Sequence, residues 1–233
     1  MFFLKKIITI ILLATCLLGG IIVNADNDFP DEKDILVKLN VINKSYFLDF
    51  NTVTREECSI AIMRVIGVTD EEINSLKGAD FISFVDTPSF SYFGCAYLAK
   101  IAYGEECVVD YPTPRTSHTL KNTDFFFFPD RPVTPKETIA FIIRCLEETN
   151  QSDINYTFER AKDYGILNDE DSFINNADSP INQDDFCVLL ERFLHQNRYK
   201  YFDREDNTFN MEGNRDEKYS MTYFDMLNQR LKN

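Results

Sequence analysis

Hydrophobic residues recur at helical spacing in three segments that each begin with the same order of residue types. The segments are residues 53–64, 133–144 and 181–192. In each, a β-branched residue precedes a Thr or Asn, an acid follows three positions later, and an Arg follows ten positions after the Thr or Asn. Such a side-chain oxygen and acid form the ends of a capping box, and the preceding apolar residue serves as a hydrophobic staple. The pattern therefore predicts three capped helices.

A second helix is expected before each capped helix, joined to it by a loop that carries aromatic residues near the cap. These first helices are expected at about residues 32–39, 92–103 and 157–164. A repeated supersecondary unit buries its apolar face by packing against its neighbours. We therefore expect an all-α fold of three helix–loop–helix units, at about residues 29–68, 81–148 and 152–195.

The N-terminus combines a short basic segment with a longer apolar one. Two lysines precede an apolar run over residues 7–23, which ends at a small-x-small site at Ala25. This order predicts a signal peptide over residues 1–25, and with it a secreted protein. Two alternatives stay open. The run is close to the length of a membrane span, which allows an N-terminal anchor, and Cys16 allows lipidation.

The rest of the chain is acidic and apolar enough to fold. The full sequence carries a formal net charge of −14, and 44% of its residues are hydrophobic. An acidic balance argues against a nucleic-acid partner, because such binding requires a basic face. The apolar density falls after about residue 197. We therefore expect one repeat domain over residues 26–196 and a polar C-terminal tail over residues 197–233, with no membrane span after signal cleavage.

Cysteine and histidine positions do not indicate a catalytic or metal site. Five cysteines follow the signal segment at wide spacing and without a Cys-x-x-Cys pair, which favours buried apolar side chains over a disulfide framework or a zinc site. One bridge stays open, with Cys95 and Cys107 nearest in sequence. Neither His118 nor His195 lies in a nucleophile motif. Residues 174–185 lack the first ligand and the turn glycine of a calcium loop. We expect no enzyme, no cofactor and no metal.

Several short motifs resemble the S-layer homology (SLH) domain family, whose units typically occur in threes. The segment Val53-Thr54-Arg55-Glu56-Glu57 is close to that family's Ile-Thr-Arg-Ala-Glu motif, and Phe128-Pro129-Asp130 leads into the second capped helix. Phe84-Val85-Asp86 and Phe29-Pro30-Asp31 match its Phe-x-Asp opening, and Tyr92 falls where the family usually has Trp. The resemblance covers roughly residues 29–195.

The resemblance implies a fold, a function and a set of binding residues. The three units would form one pseudo-threefold helical domain, and the protein would attach non-covalently to the bacterial cell wall by binding a secondary wall polysaccharide, often an anionic one. The residues that match the family's glycan-binding positions are Arg55, Asp86 and Tyr92. A guanidinium at a helix N-terminus adds bidentate donors to free backbone N–H groups, which suits an anionic sugar.

Differences between the repeats support an alternative function. The position of Arg55 is taken by Pro135 in the second repeat and by Gln183 in the third, and the chain contains no Trp. The alternative is a degenerate SLH-like scaffold, or a module that binds a protein partner and has lost the glycan site. The recurring arginines, Arg64, Arg144 and Arg192, are expected to pair with acids or lie along the core.

Overall fold

The structure, a computed structural model, describes residues 32–43, 52–75, 84, 86–87, 92, 96, 100–101, 105–106, 125–148, 154–212 and 221–232. All of them belong to one unit, Glu32–Asn233. The expected signal peptide, Cys16, the Cys95–Cys107 pair and His118 lie outside the described residues. Among the described residues, no helix is both long and apolar enough to cross a bilayer.

The described chain contains helices, a 3-10 turn and short strands. The helices are α1 (Glu32–Lys38), α2 (Arg55–Val65), α3 (Asp70–Ser75), α4 (Pro135–Leu146), α5 (Ile154–Asp163), α6 (Gln183–Leu194) and α7 (Tyr223–Arg230), with a 3-10 turn at Ser172–Asn176. The strands are β1 (Glu105–Glu106), β2 (Phe125–Phe126), β3 (Lys200–Asp203) and β4 (Thr208–Met211).

The three predicted helix caps are confirmed. α2, α4 and α6 each begin one residue after the predicted cap, and in each the cap side chain accepts a hydrogen bond from the backbone N–H three residues later. A reciprocal bond, donated by the backbone N–H of the cap residue to the acid, completes the capping box at Thr54 and Thr134. Because a cap satisfies backbone donors that the first helical turn leaves unpaired, the start of each of these helices is encoded in the local sequence.

The caps of the three helices lie side by side. The N–H of Val133 donates to the carbonyl of Val53 at 2.8 Å, and the N–H of Ile181 donates to the carbonyl of Val133 at 2.9 Å. These are the three residues that precede the caps, and all three are buried. From this meeting point α2, α4 and α6 pack against one another around a shared apolar core.

Three turns in the described chain have the geometry of a helix end. The stop residues have positive φ, and they are Asn40 (57°), Lys100 (57°) and Gly165 (67°). In each case the N–H of the next residue returns to the carbonyl five positions before it, and these bonds are Val41 to Leu36 at 2.9 Å, Ile101 to Ala96 at 3.0 Å and Ile166 to Ala161 at 2.8 Å. This is the bond of a Schellman stop. The second stop lies at Lys100, before the predicted end at Gly104.

The prediction of an all-α fold of three repeats, packed as a pseudo-threefold helical domain, is wrong. The described residues also form two antiparallel two-stranded sheets, β1 with β2 and β3 with β4. Aromatic residues favour strands because they pack well on a pleated surface, and β2 lies in the run of four phenylalanines. In the second sheet the rings of Phe202 and Phe209 meet across the strands at 5.2 Å. The architecture is therefore mixed.

The C-terminal segment differs from the polar tail expected over residues 197–233. Phe202 and Tyr223 are fully buried, and Met226 and Leu227 belong to the same core as the capped helices. α7 contacts both α2 and α6. It begins at a fourth cap, where the Thr222 side chain accepts from the N–H of Asp225. The described part of this segment is therefore an integral part of the core.

Candidate functional site

Arg55 lies at the start of α2 and is fully buried, with 0% of its surface exposed. Its Nε donates to the carbonyl of Phe127 at 2.7 Å, and its Nη1 donates to Glu137 Oε1 at 2.5 Å. Glu137 is the acid of the capping box that begins α4. The predicted glycan ligand therefore joins the N-terminus of one capped helix to the cap of the next.

Aromatic rings and a second arginine complete the surroundings of this guanidinium. Its central carbon lies 4.6 Å from the ring centroid of Phe127 and 5.5 Å from that of Phe141. Arg131 Nη2 donates to the same Glu137 Oε1 at 2.5 Å from a more exposed position. We call Arg55, Phe127, Arg131, Glu137 and Phe141 the Arg55 cluster. A ligand could reach Arg55 only by displacing these contacts.

Asp86 holds the backbone next to the same cluster. Its carboxylate accepts hydrogen bonds from the N–H groups of Phe127 at 2.9 Å and Phe128 at 2.8 Å. Phe128 has a φ of 57°, a conformation uncommon outside glycine, so the two bonds stabilise a tight turn. Arg55 donates to the carbonyl of Phe127, and Asp86 accepts from the N–H of the same residue. The structure thus brings two of the three predicted residues together, but around the backbone of Phe127 and not around a ligand.

Tyr92 belongs to another cluster. Its hydroxyl donates to Asp70 Oδ1 at 2.7 Å and lies 3.3 Å from Arg64 Nε. The Arg64 guanidinium lies 5.4 Å from the ring centroid of Tyr92, and Tyr92 is 9% exposed. Burial raises the pKa of the Tyr92 hydroxyl well above its ordinary value, and the bond donated to Asp70 acts in the same direction. The face of this ring is covered by a cation, so a sugar cannot stack on it there.

Arg144 and Arg192, the recurring arginines of the second and third repeats, have structural roles. Arg144 Nη1 donates to the carbonyl of Ile101 at 3.4 Å, and Arg192 Nη1 donates to that of Ile166 at 3.0 Å, so both bind the residue after a helix stop. Arg192 also forms a two-bond pair with Asp171, at 2.6 and 2.9 Å. Burial raises the pKa of the Asp171 carboxyl, but the hydrogen bonds from Arg192 and a backbone N–H outweigh it and hold that pKa below its ordinary value.

An open cavity of about 610 Å³ lies where α1, the turn after α2, the β3–β4 turn and the end of α7 meet. Three arginines line it, Arg64, Arg204 and Arg230, together with Tyr92 and a set of aliphatic residues. We call this cavity the arginine pocket. Two of its arginines come from the segment that the sequence suggested was a tail. The signal that could have identified it is the fourth cap at Thr222, followed within one helix by an Arg.

Arg230 is positioned by two backbone carbonyls. Its Nη1 donates to Gly67 O and its Nη2 donates to Phe202 O, both at 2.7 Å. Gly67 has a φ of 100°, and a Cβ placed there would lie 2.0 Å from Arg230 Nη1. Arg204 Nε pairs with Glu72 Oε1 at 2.8 Å. Burial and the neighbouring Arg204 hold the pKa of Arg230 below its ordinary value.

The described residues provide little for covalent or metal chemistry. In these ranges, no group of three or more His, Cys, Asp or Glu residues could hold a metal ion. Burial raises the pKa of the Cys58 thiol to about 12, and it also raises that of Cys145, so neither forms an appreciable amount of thiolate at neutral pH. His195 pairs with Glu191 at 3.1 Å on the surface of α6.

Comparison of the chain with models of known protein families, with curated proteins and with solved structures finds no match.

Proposed function

We propose that the protein is an exported, non-catalytic protein of the cell envelope that acts as a scaffold or protein-interaction module. In this proposal it does not hold wall polysaccharide at Arg55. The observation that carries the proposal is the Arg55 cluster, in which the one arginine that matches the glycan-binding motif is fully buried between two capped helices. The signal peptide predicted over residues 1–25 supports export.

The energetics of the Arg55 cluster argue against a glycan at this position. To bind a sugar, Arg55 would have to leave Glu137 and the carbonyl of Phe127. Removing one partner of a buried ion pair costs about 3–5 kcal/mol, because the other charge stays buried. Two charge-assisted hydrogen bonds from a bidentate guanidinium to a ligand would return about 3–6 kcal/mol, which only offsets this cost. A ligand would therefore gain little affinity from Arg55, which favours a structural role for this residue.

Wall attachment is the competing function, and co-sedimentation with purified cell-wall sacculi tests it. The protein without its signal segment is expected to stay in the supernatant over a range of salt concentrations. Saturable sedimentation would overturn the proposal. If it were also lost in a folded Arg55→Lys variant, the glycan site would be at Arg55 after all. The intact mass of the protein recovered outside the cell tests export separately, with cleavage after Ala25 as the expected result.

A further inference from the structure

The arginine pocket has the size and the composition of a ligand site. Its volume of about 610 Å³ lies within the range of about 300–1,000 Å³ typical of small-ligand sites, which are mostly apolar with a few placed polar groups. Here the polar groups include three guanidiniums and the carboxylates of Asp70 and Glu71, and part of the wall is aliphatic. We propose that the arginine pocket binds the C-terminal carboxylate of a partner protein, with the aliphatic side chain of the last residue against the pocket wall. This rests on the proposed role as a protein-interaction module.

The cations of the pocket explain why the ligand should be an anion. Arg230 donates to two carbonyls, while burial and the nearby Arg204 disfavour its charge. Arg64 forms an ion pair with Asp70 Oδ1 at 3.7 Å and donates to the Tyr92 hydroxyl. A carboxylate placed beside Arg230 would supply an acid for this guanidinium, whose planar form matches the two carboxylate oxygens.

The acids near the pocket are already engaged in the fold or lie at its rim. Asp70 accepts from Tyr92, and Glu72 accepts from the N–H of Thr69 at 2.7 Å and pairs with Arg204. Glu71 is exposed at the rim. Asp70 and Glu72 therefore offset the charges of Arg64 and Arg204, which leaves Arg230, whose described partners are two carbonyls, as the main attraction for a carboxylate.

The wall of the pocket distinguishes a peptide from a sugar. It contains Leu39, Ile42, Val68, Leu227 and Leu231. Leu231 is 49% exposed, one of the two most exposed large apolar side chains in the described part of the chain. An aliphatic side chain of the ligand would cover this surface and gain from its removal from water. The face of Tyr92, against which a sugar ring would stack, is already covered by Arg64.

The test is a titration of the whole exported chain with acetyl-Ala-Ala-Leu at low salt, in which ligand-observed NMR measures binding. The free acid is expected to bind, and the same peptide with a C-terminal amide at least about tenfold more weakly, since the amide loses a charge-assisted bond. Arg204→Gln should weaken binding of the acid by about tenfold or more. Lys162→Gln, which removes an exposed cation of α5, is the matched control and should bind as the wild type does.

Arg230→Gln carries a risk to the fold, so Leu231→Ser supplies a second variant at an exposed position. It should weaken the leucine peptide more than acetyl-Ala-Ala-Ala. Equal binding of acid and amide would overturn the assignment, as would binding of glucuronate in place of the peptide. Failure of the peptide to bind, while the protein still ignores wall sacculi, would remove the pocket assignment and leave the proposed function standing. Sedimentation with sacculi would remove the proposed function itself.

Discussion

Replacement of Arg55 by Met is the most direct perturbation of the Arg55 cluster. Met has nearly the length of the aliphatic stem of Arg, so it keeps much of the packing against Phe127 and Phe141. It removes the cation, and with it the hydrogen bonds to the Phe127 carbonyl and to Glu137. Glu137 is 9% exposed and would lose the more buried of its two arginine partners.

The expected loss follows from the charge that is left behind. Breaking a buried ion pair by removing one partner costs about 3–5 kcal/mol. Arg131 still contacts the same Glu137 oxygen, from a side chain that is 38% exposed, so the loss should fall at the lower end, about 3 kcal/mol. A domain is typically stable by about 5–15 kcal/mol, so the variant should be folded but clearly weakened.

Urea denaturation followed by circular dichroism measures this loss, with unchanged m-values as the check that the unfolding transition is comparable. Glu137→Gln combined with Arg55→Met should recover part of the loss, because Gln leaves no buried charge and still offers an oxygen to Thr134. Arg131→Met is the matched control and should cost about 1 kcal/mol or less, since its side chain is partly solvated. If Arg55→Met were as stable as the wild type, the structural role assigned to Arg55 would be wrong.

Three further predictions test other contacts. Gly67→Ala should destabilise the protein by more than about 1 kcal/mol, because the new Cβ would meet Arg230. Gly165→Ala places its Cβ in open space, so it should cost about 1 kcal/mol from the positive φ alone. Thermal unfolding of the two variants separates the steric clash from the backbone strain. Burial lowers the pKa of Lys200, so wild-type stability should rise as the pH approaches the ordinary lysine pKa of about 10.4. Lys200→Met should be more stable than the wild type at pH 7, by a margin that narrows toward that pH. A margin that stays constant with pH would contradict this prediction. A protein that ends at Asn197 should lose cooperative unfolding in urea, and a transition as sharp as that of the full chain would show that the C-terminal segment is dispensable.

Local interactions made the helix starts predictable. A cap and its acid lie three residues apart, so the signal at Thr54, Thr134 and Asn182 does not depend on the rest of the fold. The strands could not be predicted in the same way, since a two-residue strand such as β2 exists only through its partner β1. The helix stop at Lys100 was missed because a lysine in positive φ gives no signal in the sequence, unlike Gly165.

The residues of the candidate site could be predicted only in part. The motif predicted Arg55 as a glycan-binding residue at a helix N-terminus. Whether such a side chain faces solvent depends on what packs over it, and here that is Glu137, more than 80 residues away in sequence. The same acid both caps α4 and pairs with Arg55. No local pattern records that second role.

The C-terminal segment links the stability of the fold to the arginine pocket. Composition suggested a tail because its apolar residues are few, but Phe202, Tyr223 and Leu227 fall at positions that face the core. The Tyr223 hydroxyl donates to the carbonyl of Lys200 at 2.9 Å and so joins α7 to β3. Arg204 and Arg230 are placed by these two elements. A pocket built this way exists only while the segment is packed, so a ligand that binds it must also stabilise the packed state, by an amount that rises with the ratio of ligand concentration to Kd.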